Sequence, residues 1–165
     1  MSMFCYQCEQ TARGTGCTAF GVCGKDPETA ALQDLLIHVA EGVSQYAHRA
    51  RKLGTTHRPA DLFVVEALFT TVTNVDFDPE RVAALIRDGA AIRQDVRKAY
   101  EDACRQAGQQ PETADADAAI EPADALDNMI RQGEQVTIEK RINALGDDVA
   151  GLQEVITYGV KGMAA

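Results

Sequence analysis

The sequence lacks tryptophan and is poor in aromatic residues of any kind, which make up 5% of its 165 residues. A β-sandwich core depends on aromatic and β-branched side chains, whereas alanine-rich helices pack without them. The chain also lacks a surplus of positive charge, since its net charge is −9. Because phosphates attract basic patches, this charge argues against binding to nucleic acid and to anionic membrane surfaces. The composition therefore favours an all-α protein that binds neither nucleic acid nor anionic membranes.

Long apolar runs are absent as well. No stretch of about 18 consecutive apolar residues occurs, so the sequence predicts no membrane-spanning helix. Met1 is followed within four residues by Cys5, without the basic region and apolar run of a secretory signal. We therefore expect a cytoplasmic protein, in which thiols stay reduced and clustered cysteines more often bind metal than form disulfides.

Cysteine is concentrated at one place, since four of the five cysteines lie in the first 23 residues in the pattern C-x2-C-x8-C-x5-C. A four-thiolate zinc site usually comes from two short cysteine pairs. Here only Cys5 and Cys8 form such a pair, while Cys17 and Cys23 come singly from a glycine-rich loop. Glycines permit close backbone approach, so that N–H groups can point at cluster sulfurs. The spacing favours an iron–sulfur cluster over zinc, and a loop of reactive thiols without metal stays open as a third interpretation.

Residues 3–43 resemble the N-terminus of the hybrid cluster proteins, also called prismane proteins or hydroxylamine reductases. The resemblance extends to about Gly54 and includes the four cysteines, the run VCGK at residues 22–25 and the LQDLL that follows. It implies that these four cysteines bind a [4Fe–4S] cluster, since family members with a [2Fe–2S] cluster have longer cysteine spacing. It also implies a mostly helical N-terminal domain followed by two α/β domains.

Full-length members of that family carry a second, hybrid iron–sulfur–oxygen cluster, where hydroxylamine is reduced to ammonia and water and nitric oxide is also a proposed substrate. The Cys, Glu and His ligands of that cluster lie in later domains that have no counterpart in this sequence. The resemblance therefore implies no catalytic residue here, and implies that this portion relays electrons from a donor protein to the remaining domains. A stand-alone electron-transfer module and a zinc-stabilised helical interaction module remain alternatives.

Two Asp-Pro pairs mark helix starts, since Asp is a favoured N-cap and Pro fits the first helical position. One long helix should run from Asp26 to about Leu53 and another from Asp78 to about Gly108, each with apolar residues three and four apart. Residues 62–75 between them predict a buried helix, although a strand stays open. The apolar residues at helical spacing in this segment are Leu62, Val65, Phe69 and Val72.

These elements divide the chain into four parts. We predict a cluster-binding loop at residues 1–25, a first helical bundle at 26–108, an acidic exposed loop at 109–121 and the start of a second bundle at 122–165. The second bundle should hold a short helix after Pro122, another ending at Gly146, and a last apolar helix that runs to the chain end.

A repeated motif connects the two bundles. LQEVI at residues 152–156 repeats LQDLL at residues 32–36 with an offset of 120, which indicates two related antiparallel bundles. Because the last helix has no C-cap signal, we expect the chain to be a piece of a longer protein. Its exposed apolar surface should then favour self-association.

Other residues with metal or redox chemistry have simpler interpretations. Cys104 and the three histidines are expected to pack or to face solvent rather than to bind metal, because four thiolates already close a site. Lys25 is either a solvated lysine or a positive charge that tunes the cluster potential. Phe4 and Tyr6 are expected to shield the cluster from water. Arg93 is assigned to the solvated outer face of its helix.

Overall fold

The structure is a computed structural model that describes residues 3–8, 12–72, 75–115 and 119–165. The protein is all-α, as the composition predicted. Within the described ranges, none of its helices combines the length and the apolarity that a membrane crossing requires. The elements in chain order are a short 3₁₀ helix (Ala12–Gly14), α1 (Pro27–Lys52), α2 (Arg58–Thr70), α3 (Pro79–Ala107), α4 (Leu126–Gly133), α5 (Ile138–Leu145) and α6 (Asp147–Ala164).

Both long helices begin where the Asp-Pro pairs predicted. The side chain of Asp26 accepts a hydrogen bond from the N–H of Thr29 at 2.7 Å, and Asp78 caps α3 by accepting from Glu80 at 3.0 Å. Helix α3 ends at Gly108, whose φ of 66° is left-handed and suits glycine. These caps confirm the predicted bounds to within about two residues.

Helix α1 is the centre of the core, since it packs against α2, α3 and α4. Fully burying one Leu or Val side chain contributes roughly 1.5–3 kcal/mol, so the apolar residues that α1 buries are a main source of stability. Close approach of α4 depends on Gly133, because a Cβ there would clash with the carbonyl oxygen of Ala31. The buried seam of α1 is Leu32, Leu36, Val39, Val43, Tyr46 and Ala50.

The predicted buried face of α2 is wrong. Leu62, Val65 and Phe69 are 55%, 51% and 44% exposed, and the helix ends at Thr70, before residues 73–74, which lie outside the described part of the chain. It also starts earlier than predicted, because His57 accepts a hydrogen bond from Ala60 N–H as the N-cap. Contacts with α1 and α3 bury a different face of the helix. The buried residues of α2 are Ala60, Phe63, Ala67 and Thr70.

The loop after α3 is exposed over most of its described length, as predicted, but α1 and α3 hold it. Arg49 donates to the carbonyl of Thr113 at 3.0 Å. Arg93, which the sequence placed on the outer face of α3, is 4% exposed. It donates to the carbonyl of Ile120 at 2.7 Å and pairs with Glu121. The arginine is buried because the loop folds over it.

The last three helices pack in two different places. Helix α4 shares the first core through Met129 and Ile130, whereas α5 and α6 pack on each other and α6 also contacts α2. The buried residues of α6 are Ala150, Glu154 and Lys161. This helix therefore turns a charged face inward, which is the opposite of what its apolar sequence suggests. The division of the chain into four parts stays a prediction.

Candidate metal centre

The cysteine loop folds back on itself through a short backbone pairing. Cys5 N–H donates to the carbonyl of Cys17 at 3.1 Å, and Cys17 N–H donates back to Cys5 at 2.8 Å. Met3 N–H adds a bond to Thr18 at 3.1 Å. A residue pair that exchanges both bonds lies about 5.5 Å apart between Cα atoms. Two of the four predicted ligands are thus adjacent although twelve positions separate them in sequence.

The turn between these cysteines directs a backbone donor at sulfur. Ala12 N–H lies 3.4 Å from Cys17 Sγ, within a segment where Arg13 and Gly14 have left-handed φ values of 56° and 69°. Hydrogen bonds to a thiolate favour its charged form and are typical of iron–sulfur sites. Cys17 itself is 5% exposed, so its sulfur is protected from solvent.

A second tight turn places Cys23. Gly21 N–H donates to the carbonyl of Lys25 at 2.8 Å, and Gly24 N–H donates to Gly21 at 2.9 Å. A Cβ on Gly21 would lie 3.1 Å from Cys23 Sγ, so glycine leaves the space beside that sulfur open. Cys23 and Cys8 are both half-buried.

The four sulfurs are not assembled as a ligand set in this conformation. Among the residues that the structure describes, no three Cys, His, Asp or Glu side chains form a group that could hold a metal ion. The loop brings Cys5 and Cys17 together by backbone pairing and supplies an N–H to sulfur. The assignment of all four cysteines as ligands therefore stays a prediction.

Beneath the loop lies a group of five charged side chains, which we call the charged cluster. Three are cations and two are carboxylates, so with all ionised the group has one surplus positive charge. A thiolate or an anionic iron–sulfur group would balance that charge, and Cys5 lines the same small cavity as three of the five. An anionic iron–sulfur group therefore suits the four cysteine thiols, the Ala12 N–H at Cys17 Sγ and the surplus positive charge of the charged cluster. The members of the charged cluster are Lys25, Asp34, Arg141, Glu154 and Lys161.

Burial shifts two pKa values within the charged cluster. Loss of solvent raises the pKa of the Asp34 carboxyl to about 7, against the attraction of Lys161 and Lys25. Loss of solvent also lowers the pKa of Lys161 to about 8, which Asp34 opposes. Lys25 is 3% exposed, so its interpretation as a solvated lysine is wrong.

Aromatic rings cover one side of the loop. Phe4 and Tyr6 lie 5.2 Å apart between ring centroids, and Tyr158 from α6 meets Tyr6 edge-on at 5.6 Å. Burial raises the pKa of both the Tyr6 and the Tyr158 hydroxyls, so both stay neutral. The rings limit the access of water to the segment that joins Cys5 and Cys8.

The remaining thiol and imidazoles lie elsewhere. Cys104 is fully buried in the helical core, as expected of a small apolar residue. His38 lies 3.6 Å from Glu41 on the same helix, His57 caps α2, and His48 is exposed. None of the three histidines was predicted to bind metal, and each has a packing, capping or surface position.

Sequence reasoning missed the charged cluster, although one signal for it was present. The repeated motif LQ(D/E) carries an acid at its third position, which is Asp34 in one copy and Glu154 in the other. An acid retained within an apolar helix segment indicates a buried polar contact. Glu154 pairs with Arg141 of α5, and both acids act on the charge of Lys161.

The sequence of this chain is similar to those of known proteins. A sequence model of the Prismane/CO dehydrogenase family matches residues 3–165. A hydroxylamine reductase of Rhodospirillum rubrum is 50% identical over 163 residues, one of Acidithiobacillus ferrooxidans is 46% identical over 167, and one of Geobacter sulfurreducens is 45% identical over 169. These alignments cover 99–100% of this chain and 30% of each relative. The chain thus spans about a third of the length of the curated relatives it matches.

Proposed function

Because the chain belongs to the prismane/CO dehydrogenase family, we propose that it is the N-terminal electron-relay portion of a hydroxylamine reductase-like hybrid cluster protein. In this proposal Cys5, Cys8, Cys17 and Cys23 hold a [4Fe–4S] cluster. The relatives named hydroxylamine reductase support the family. The observation that supports the cluster site is the Cys5–Cys17 pairing with Ala12 N–H directed at Cys17 Sγ.

The surrounding residues suit an anionic redox group. When bound, the cluster would accept and release single electrons. The rings of Phe4 and Tyr6 cover one side of the loop, and the buried cations Lys25 and Lys161 would offset the negative charge of a bound cluster. Burial and nearby charge are the means by which a protein sets such a potential.

Catalysis belongs, in this proposal, to regions beyond these residues. The family resemblance implies that the hybrid cluster and its ligands lie in later domains, where hydroxylamine would be reduced to ammonia and water. The partners of this portion are then an electron donor protein and those remaining domains, in the cytoplasm. The apolar face of α6 offers a surface for them, since Leu152, Val155 and Ile156 are each 67% exposed. In their absence the same face would promote self-association.

Replacing single thiols tests the ligand assignment. The protein would be prepared without oxygen and analysed for iron, sulfide and zinc. We expect Cys17→Ser to lower iron and sulfide content sharply, whereas Cys104→Ser, which lies in the helical core, leaves them unchanged. Full iron content in the Cys17 variant would remove that residue from the ligand set. Stoichiometric zinc without visible absorption would instead favour the zinc-stabilised module.

A further inference from the structure

Helix α6 reaches the two residues that separate Cys5 from Cys8. The ring of Tyr158 packs edge-on against Tyr6, with centroids 5.6 Å apart. Three residues later on the same face, Lys161 Nζ lies 3.0 Å from the side-chain amide of Gln7, whose orientation follows from its hydrogen-bond partners. Both residues inside the C-x2-C segment are therefore held by one helix that begins well over a hundred positions later.

The amide of Gln7 connects α6 to a second helix. In the orientation that satisfies both neighbours, its nitrogen donates to the carbonyl of Thr71, at the end of α2, at 3.1 Å, while its oxygen accepts from Lys161. These two partners fix the orientation of the amide, because a carbonyl only accepts and an ammonium only donates. The segment between Cys5 and Cys8 is therefore in contact with both α2 and α6.

The position of Lys161 is energetically demanding. The residue is 6% exposed, and a buried ammonium requires compensating partners. Its partners are the Gln7 oxygen, the face of the Tyr158 ring at 5.9 Å and the field of Asp34. An exposed position on α6 would avoid this cost, so the buried contact points to a role at the cysteine loop.

We propose that Lys161 and Tyr158 are positioning residues for the C-x2-C segment, which they hold in place from α6. The inference rests on the proposed cluster site for its metal readout, but the holding of residues 5–8 is independent of metal. A fixed segment lowers the entropy lost when ligands assemble around a cluster. Changes in residues that support metal ligands typically weaken binding about 10–100-fold.

The test compares Lys161→Met with Lys140→Met, an exposed lysine on α5, and with Lys161→Arg as the conservative rescue. In the metal-free 165-residue protein, amide hydrogen exchange of residues 5–8 should rise at least several-fold in Lys161→Met and Tyr158→Ala. Exchange in α1 should stay unchanged, which shows that the fold is intact. Equal exchange of residues 5–8 in wild type and Lys161→Met would overturn the proposal.

The second readout uses protein reconstituted with iron and sulfide without oxygen. Iron loss to a ferrous chelator should be about 10-fold faster in Lys161→Met, and the midpoint potential should become more negative because a positive charge is lost. Lys161→Arg and Lys140→Met should match wild type. Wild type that takes up no cluster would refute the proposed function, and the exchange measurement would still decide the positioning role. An unchanged rate of iron loss in Lys161→Met, in protein that does take up a cluster, would contradict the positioning role of Lys161.

Discussion

Helices α1 and α6 share a motif and bury opposite faces. The first residue of the motif is fully buried in α1, as Leu32, and 67% exposed in α6, as Leu152. The fifth residue repeats the contrast, with Leu36 fully buried and Ile156 67% exposed. Of the five motif positions, only the acid is shielded from solvent in both copies without being apolar, since Glu154 is buried and Asp34 is half-buried.

The difference shows that a sequence pattern can predict a helix, whereas the elements that pack against the helix determine which face is buried. Three helices surround the apolar seam of α1, whereas α6 contacts α5, α2 and the cysteine loop. Against the cysteine loop, contacts for charge and hydrogen bonds outweigh the burial of apolar area. The apolar face of α6 is then left for the regions that extend beyond this chain in its relatives, as proposed above.

The largest expected effect comes from the two motif leucines. Leu32→Ala should lower the free energy of unfolding by about 2–5 kcal/mol, because it opens a cavity in a closed core. Its motif counterpart Leu152→Ala should change it by no more than about 0.5 kcal/mol. Urea unfolding followed by circular dichroism measures both. Equal losses would mean that α6 buries this face in the isolated chain.

Replacing two helical glycines should change the free energy of unfolding by smaller amounts and in opposite directions. Gly133→Ala should destabilise by about 1–3 kcal/mol, since the new Cβ meets the backbone of Ala31. Gly159→Ala in α6, where nothing lies within 4 Å of the added Cβ, should stabilise by roughly 0.5–1 kcal/mol. The same unfolding assay applies. A loss of stability in the Gly159 variant would show that α6 packs against more than the structure describes.

The sequence predicted the helices well because their signals are local. Asp26 and Asp78 cap through their own neighbours in the chain, and the cysteine spacing was visible without structure. Burial was harder, since it depends on residues distant in sequence. The face of α2, the burial of Arg93 and the charged cluster all result from contacts between elements, which periodicity along one helix does not contain.

A third comparison concerns the pH dependence that Asp34 gives to folding stability. Its pKa of about 7 in the folded state exceeds the usual value, so the unfolded chain binds fewer protons between about pH 4 and 7 and stability falls over that range. Asp34→Asn should remove this slope between about pH 4 and 7. Urea unfolding of the metal-free protein at several pH values measures it. The exposed Asp88→Asn is the control, and an unchanged slope in Asp34→Asn would contradict the assignment.

The most direct test of the account is elemental analysis with low-temperature EPR on wild-type protein prepared without oxygen. The account predicts iron and acid-labile sulfide in equal amounts, about four of each per chain, broad visible absorption and a cluster signal on reduction. A colourless protein with zinc or no metal, and no signal on reduction, would contradict it.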